Sequence, residues 1–561
     1  MKNTWTSYPR PQMKRAGYVI LNGLWRCNGK DILVPFPPQS EASGYQGEVE
    51  DVLEYELDFE IPADFTKERI LLHFGAVDQI AEVWLNDVFL GKHAGGYLPF
   101  SFDMTEAVCK EGRNHLRVKA TDTLDKRYPY GKQTKKRGGM WYTPVSGIWQ
   151  TVWMENVPDI YIEKVKITPD MTGVSVEVKY ADGIDFENGF AVEIPLPDGT
   201  KMKQSFAGNS GRIEPEQPVL WDVDNPYLYE MKIQTKTDMV ETYFALREIK
   251  IEKRNEISRV CLNGKPIFMH GVLDQGYFVD GIYLPKEEKE YEKDVLRMKA
   301  LGYNMLRKHI KVEPEAFYFA CDRLGMLVMQ DMVNNGSYSW LFDTAFPNIG
   351  LKKRRDTKLG LDSDVAQIFI HHMKDTLDHL YNHPSIVAYT IFNEGWGQFH
   401  SDKVYDMARA WDATRLYDST SGWFAQAKND FDSEHIYFKT DMPHIGERPL
   451  FVTECGGYTM SVEGHLFNPN KEYGYGKCKN SRELTDMVIA MYEKMILPGI
   501  KKGICGCIYT QISDVEDEIN GFYTYDREVC KVVKEDMVAL AGRIYGEING
   551  ENMPRITLEE G

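Results

Sequence analysis

The sequence predicts a multidomain chain: an N-terminal β jelly roll, an immunoglobulin-like β-sandwich and a C-terminal (β/α)8 TIM barrel. Three observations predict it. At 561 residues the chain is too long for one ordinary domain. Up to Lys253 it carries short runs with period-two alternation, separated by Gly, Asn, Asp and Pro. From Arg254 onward, apolar strand-like runs alternate with amphipathic stretches, the pattern of a parallel barrel.

Residues 1–157 read as the jelly roll, with strands at Leu53–Glu60, Ile70–Phe74, Ala81–Asn86 and Asn114–Lys119. Residues 158–253 repeat the pattern in smaller form at Tyr161–Ile167, Val174–Tyr180 and Tyr229–Thr235, which suits an immunoglobulin-like sandwich. Residues 254–561 offer eight barrel strands. They are Pro266–Leu273, Asn304–His309, Leu327–Asp331, Ile386–Asn393, Leu416–Ser421, His435–Phe438, Leu450–Glu454 and Gly506–Gln511. Helices are expected at Glu290–Leu301, Pro314–Leu324, Ala366–Tyr381 and Ser481–Leu497.

Two barrel strands carry the chemistry. Ile386-Val-Ala-Tyr-Thr-Ile-Phe-Asn-Glu394 and Pro449-Leu-Phe-Val-Thr-Glu454 are apolar runs that each end in a glutamate. A carboxylate at the C-terminal end of a buried parallel strand is poorly placed for packing, but it faces the barrel mouth. Two of them suggest paired-carboxylate work, above all glycoside hydrolysis. Asn393 is apt to hydrogen-bond a sugar hydroxyl beside the reacting carbon. A capping or ion-pair role for either glutamate is the bland alternative, since the chain holds 84 acidic residues.

Composition narrows the partners. The net charge of −18 argues against nucleic acid and is indifferent to a neutral carbohydrate substrate. The one conspicuous basic run, Lys132-Gln-Thr-Lys-Lys-Arg137, reads as a solvated loop. Nine cysteines in a chain of this length make no disulfide framework. No stretch has transmembrane length and the N-terminus lacks the apolar core of a signal peptide, so no membrane partner and a cytoplasmic location are expected. No Gly-x-Ser-x-Gly elbow, His-Glu-x-x-His helix or phosphate-binding Gly-Lys-Ser/Thr loop offers rival chemistry. An assembly of identical chains stays open.

These residues reach a known family. Phe74-Gly-Ala-Val-Asp-Gln-Ile-Ala-Glu-Val-Trp-Leu-Asn86 and Gly91-Lys-His-Ala-Gly-Gly-Tyr-Leu-Pro-Phe100 resemble the N-terminal signature of glycoside hydrolase family 2, the β-galactosidase, β-glucuronidase and β-mannosidase group. Trp141-Tyr-Thr-Pro-Val-Ser-Gly-Ile-Trp149 is similar to the close of that domain. Asn393-Glu-Gly-Trp396 and Thr453-Glu-Cys-Gly-Gly457 are similar to its two catalytic motifs.

The resemblance implies retaining hydrolysis with Glu394 as acid/base and Glu454 as nucleophile. It implies sugar contacts from Asp274 and His309, a tyrosine on the nucleophile at Tyr437, a pocket wall at Trp396 and a weaker role for Asp331. Tyr509 stands where relatives often carry a tryptophan platform. A core role is the rival for His309, whose neighbours Arg307, Lys308 and Lys311 read as surface types. The chemistry requires no cofactor and no ligand spacing calls for a metal, although a weakly bound divalent cation stays open.

In β-glucuronidases an Asn-x-Lys pair holds the sugar carboxylate. The corresponding Asp517-Glu-Ile-Asn-Gly-Phe-Tyr-Thr524 has acids and no lysine, which disfavours a uronate. A β-galactosidase is therefore expected first. Arabinopyranosidase, mannosidase or glucuronidase activity and a non-catalytic carbohydrate-binding protein are the alternatives.

Overall fold

The computed structural model describes residues 4–183, 189–348, 350–437 and 442–549. It has the three predicted architectures in the predicted order. In the first, a six-stranded antiparallel sheet containing Val52–Glu60, Arg113–Thr121 and Ile80–Leu85 faces a four-stranded sheet of Tyr18–Ile20, Val152–Val157, Arg69–Phe74 and Phe100–Asp103. Alternation explains the packing. In Arg113–Thr121 the side chains of Asn114, Leu116, Val118 and Ala120 are buried and those between them are exposed or half-buried. The inward set meets Trp25, Tyr55, Leu72, Phe74, Val83 and Met154 in one core.

The second sandwich pairs a three-stranded sheet, Ile162–Pro169, Val174–Tyr180 and Ser210–Ile213, with a four-stranded sheet that includes Phe190–Pro195 and Tyr229–Gln234. Val165, Val176, Phe190, Ile194, Tyr229 and Ile233 fill it. A hairpin then straddles the expected boundary at 253/254: Ile249–Arg254 pairs antiparallel with Ile257–Leu262. Asn255 and Glu256 turn it with positive φ. Its apolar face, Ile249, Val260 and Leu262, packs with Trp221 on Met269, Met305, Leu327 and Phe451 and plugs the lower end of the barrel.

The barrel strands are Met269–Asp274, Met305–Lys308, Leu327–Asp331, Ile386–Asn393, Leu416–Ser421, Asp432–Ile436, Leu450–Gly456 and Ile504–Thr510. All pairings are parallel, and the ladder runs unbroken from the fifth strand back to the first and on through the eighth and seventh to the sixth. The fifth and sixth strands close the ring by packing without a ladder, so the barrel is nearly closed.

The sixth strand lies earlier than predicted, because His435 falls near its end and not at its start. Phe438 is outside the described residues. Helices Ser401–Trp411 and Lys534–Asn549 were not foreseen, and the predicted Ser481–Leu497 helix passes into a π turn at Tyr492–Ile496. No helix among the described residues is long and apolar enough to cross a membrane.

Candidate active site

The C-terminal ends of the strands converge on one polar mouth. Glu394 follows the fourth strand in the left-handed region, at φ 53°, with its backbone N–H donating to Ser421 O at 3.0 Å. A non-glycine residue rarely sits there, and the strain is supported by Gly395 and Gly397, both also at positive φ. A side chain on Gly395 would collide with Phe424 and Arg354. The turn swings the Glu394 carboxylate to His435, whose Nδ1 lies 2.8 Å from Oε1. His435 Nε2 meets Ser421 Oγ at 3.0 Å, so the ring is held at both nitrogens.

Glu454 lies on the seventh strand, almost wholly buried. Its Oε1 accepts from Arg307 Nη1 at 3.1 Å and its Oε2 accepts from the Tyr437 hydroxyl. The His435 Nδ1 is 3.6 Å from the same Oε2. One carboxylate oxygen of each glutamate and His435 Nδ1 fall within 4.8 Å of one another. Burial would lift the Glu454 carboxyl, but His435, Arg307, His309 and the Tyr437 hydroxyl outweigh it and hold it down to about 2. Burial, with the Glu454 charge beside it, pushes the Tyr437 hydroxyl well above the phenol range, so it stays a donor.

Arg307 organises this site. It is fully buried and donates to Asp331 (3.0 Å), Glu454 (3.1 Å), Thr453 O (3.0 Å) and Asn393 Oδ1 (2.9 Å). A guanidinium only donates, so the contact fixes the Asn393 amide with its oxygen on Arg307 and its NH2 toward the cavity. Asp331 also takes His309 Nδ1 at 2.6 Å. Burial lowers the His309 pKa to about 4, so the imidazole is neutral at pH 7. With Nδ1–H on the ionised Asp331, Nε2 presents a lone pair to the cavity.

Several sequence expectations change here. Arg307, Lys308 and Lys311 are not surface residues: all are buried and paired. Asp274 is ion-paired with Lys308 Nζ at 2.7 Å and accepts from Gly276 N at 2.8 Å, and among the described residues no hydrogen bond joins it to the carboxylate pair. Tyr509 is fully buried and stacks on Phe522 at 4.2 Å, behind the strand. Strand neighbours point to opposite faces, so it is Thr510 that turns inward, 3.3 Å from the Tyr437 hydroxyl. His435 was missed as a site residue. Its signal was a histidine in the strand preceding the second glutamate.

Trp396 is buried and forms the inner member of an aromatic wall with Trp141 and Tyr338, at 5.1 and 5.8 Å between ring centres. Trp141 comes from the first sandwich. The loop around it crosses the mouth: Tyr130 N bonds Asn334 O, Thr143 N bonds Glu516 Oε1, and the Tyr142 hydroxyl bonds Glu518. Arg137 lies 3.3 Å from Asp517. The basic run is therefore partly a bridge to the barrel and not only a solvated loop.

Glu394, His435 and Glu454 also have the donor types to hold a divalent ion. Arg307 already sets a positive charge on Glu454, which opposes a second cation there.

Comparisons agree with this architecture. A model described as "Glycosyl hydrolase 2 galactose-binding domain-like" matches residues 35–149, one described as "Glycosyl hydrolases family 2" matches 160–247, and "Glycosyl hydrolases family 2, TIM barrel domain" matches 251–449. A β-galactosidase of Thermoanaerobacter pseudethanolicus is 24% identical over 50% of this chain and 39% of its own length. The human β-glucuronidase is 24% identical over 63% of this chain and 56% of its own. The chain thus spans roughly half the length of the curated relatives it matches. A solved β-D-glucuronidase structure from Dictyoglomus thermophilum superposes with a TM-score of 0.75, covering 95% of this chain and 98% of that one, at 17% identity. At that identity the likeness speaks for the fold alone.

Proposed function

We propose that this chain, which belongs to glycosyl hydrolase family 2, is a retaining exo-β-glycosidase that removes a terminal neutral sugar, with β-galactosides as the first candidates. One observation carries the reading: the Glu394 and Glu454 carboxylates approach within 4.8 Å across the mouth. That approach suits double displacement, whose carboxyl groups stand about 5 Å apart, better than an inverting mechanism, whose groups stand about 6.5–9.5 Å apart.

In this mechanism Glu454 attacks the anomeric carbon. Its low pKa keeps it ionised, and Tyr437 and Arg307 aim it. Glu394 protonates the departing oxygen, then removes a proton from the water that releases the sugar. The Asn393 amide donates to the hydroxyl next to the reacting carbon, and His309 Nε2 accepts from another hydroxyl. Asp331 acts through Arg307 and His309 as a positioning residue. Trp396 and Trp141 wall the pocket. Relatives are named both β-galactosidase and β-glucuronidase, so the sugar is argued from this chain's own residues. The acids Asp517 and Glu518 oppose a uronate.

The test is a panel of nitrophenyl α- and β-glycosides, uronides included, with wild type, Glu454→Gln and Glu394→Gln. The expected result is turnover of one neutral β-glycoside, lost in both variants, and labelling of Glu454 by the matching 2-fluoro sugar. A product released first as the α-anomer, or turnover surviving Glu454→Gln, would overturn it.

A further inference from the structure

The loop that crosses the mouth carries a half-buried cation, Lys132, without a hydrogen-bond or ion-pair partner among the described residues. Its backbone is clamped on both sides. A side chain on Gly131 would come within 2.9 Å of the carbonyl of Ile310, next to His309. Gln133 is locked by Asp78 (2.9 Å), Tyr97 (3.0 Å) and Val145 N (2.7 Å). The Lys132 carbonyl accepts from Tyr142 N at 3.1 Å, and the Tyr142 hydroxyl reaches Glu518. Lys132 is thus held between His309 on one side and Glu518 on the other. Its charge acts on both groups.

Glu518 faces the same space. Burial, with the charge of Glu454, raises its pKa, and each of its oxygens has one protein donor: Asn520 Nδ2 at 2.9 Å on Oε1 and the Tyr142 hydroxyl on Oε2. A carboxylate oxygen can accept a second bond. Arg307, by contrast, is spent on Asp331, Glu454 and Asn393.

We propose that Lys132 and Glu518 are a sugar-reading pair, contributed by the first sandwich and the barrel, which grips neighbouring hydroxyls of a neutral sugar and rejects a uronate. A hydroxyl can accept from the ammonium and donate to the carboxylate, so two adjacent hydroxyls satisfy both groups at once. Lys132 and Glu518 act on each other through charge and form no direct ion pair among the described residues. A sugar carboxylate there would gain Lys132 but meet the charges of Glu518 and Glu454, and, unlike a hydroxyl, it has no proton to donate to Glu518. The proposal rests on the glycosidase reading above and adds the residues that choose the sugar.

The experiment measures kcat/KM on nitrophenyl β-galactoside and β-glucuronide for wild type, Lys132→Met, Lys132→Arg and Glu518→Gln, with thermal midpoints alongside. Lys132→Met should lose about 100-fold on the galactoside, the scale of a charged hydrogen bond, with Lys132→Arg recovering part of it. Glu518→Gln should raise the glucuronide-to-galactoside ratio about tenfold. Galactoside turnover unchanged in a folded Lys132→Met, or a loss confined to the glucuronide, would overturn the pair. Labelling of Glu454 by a 2-fluoro galactoside separates the two levels. Labelled wild type with an indifferent Lys132 sinks only this pair, whereas unlabelled, inactive wild type sinks the glycosidase reading beneath it.

Discussion

The barrel mouth and the junction of the three domains each bury arginine, carboxylate and histidine side chains together, yet they end differently. At the junction Glu155 accepts from Tyr8 (2.7 Å), Arg10 (2.6 Å) and Trp153 (2.9 Å) on one oxygen and from Arg15 (3.1 Å) on the other. Arg15 continues to Asp238 at 2.8 Å and to Ile162 O. Glu155 thus takes four donors, two of them arginines, and is wholly buried. At the mouth Glu454 has one charged donor and one hydroxyl, and its neighbours Asn393 and His309 each turn a polar atom to the cavity. The junction even holds a cavity of about 930 Å³, lined by Trp5, Tyr8, Arg10, Trp153, Tyr243 and Glu315. Cavity size and buried charge do not mark chemistry. Unspent hydrogen-bonding capacity beside a depressed carboxyl does.

The largest expected effect breaks that symmetry directly. Both carboxyls are depressed, Glu454 to about 2 and Glu155 further, with His435 and Arg307 outweighing burial at the first and Arg10, His73 and Arg15 at the second. A carboxyl lowered in the fold adds stability above its unfolded pKa, and that stability is lost as pH falls through the folded value. Both Glu→Gln changes should therefore cost stability at pH 7, on the order of 3 kcal/mol. Only Glu454→Gln should also remove turnover, by roughly 10⁴-fold or more. Glu155→Gln should leave kcat/KM per folded molecule unchanged. Urea unfolding with initial rates on the same samples measures both. A kinetic collapse in Glu155→Gln would erase the contrast between the two clusters.

Glu315 sharpens the comparison from within the junction. It lines the cavity and its Oε2 has no hydrogen-bond partner among the described residues. The nearest histidine, His379 at 4.0 Å, is itself lowered to about 3 and so neutral. His383, Arg10 and the Gln12 backbone pull the Glu315 pKa down less than burial lifts it. Burial raises the Glu315 pKa from 4.5 to about 7. The folded protein then binds the extra proton between those values, so stability falls as pH rises through this window and stays low above it. Glu315→Gln should be neutral near pH 4 and stabilising by up to about 3 kcal/mol above pH 7. Thermal midpoints across pH 4 to 9 test it. A pH-independent difference would mean that Glu315 is not an unpaired buried acid.

Much of the fold was legible because period-two alternation and apolar strand runs are local. Seven of the eight barrel strands overlap their predicted spans closely; Glu394 directly follows its strand and Glu454 lies two residues before the end of its own. The sixth strand slipped because Asp432-Ser-Glu-His-Ile436 has only one strongly apolar residue, with polar Ser433 bonded to Asp418 and Thr453. What stayed illegible is whatever depends on which residues meet in space. Arg307 and Lys132 are ordinary cations in a one-dimensional text. The first becomes the hub of the mouth only because Asp331, Asn393 and Glu454 arrive from three other strands. The second matters only because the first sandwich folds over the barrel.

The smallest expected effect tests the face assignment on the eighth strand. Tyr509 lies among core residues against Phe522, and its hydroxyl is buried with no partner. Removing an unsatisfied buried hydroxyl without opening a cavity costs nothing and can return about 1 kcal/mol. Tyr509→Phe should therefore keep kcat and KM and hold or raise the thermal midpoint. Thr510, one residue on, meets the Tyr437 hydroxyl that aims Glu454. Thr510→Val keeps the shape and deletes that contact, so kcat should drop a few-fold, about 1 kcal/mol, with KM little changed. If Tyr509→Phe were instead the slower variant, the sugar would be hydrogen-bonding the hydroxyl of the residue that the sequence suggested. The strand would then present its opposite face to the mouth, and Tyr437 would have to orient Glu454 without help from Thr510.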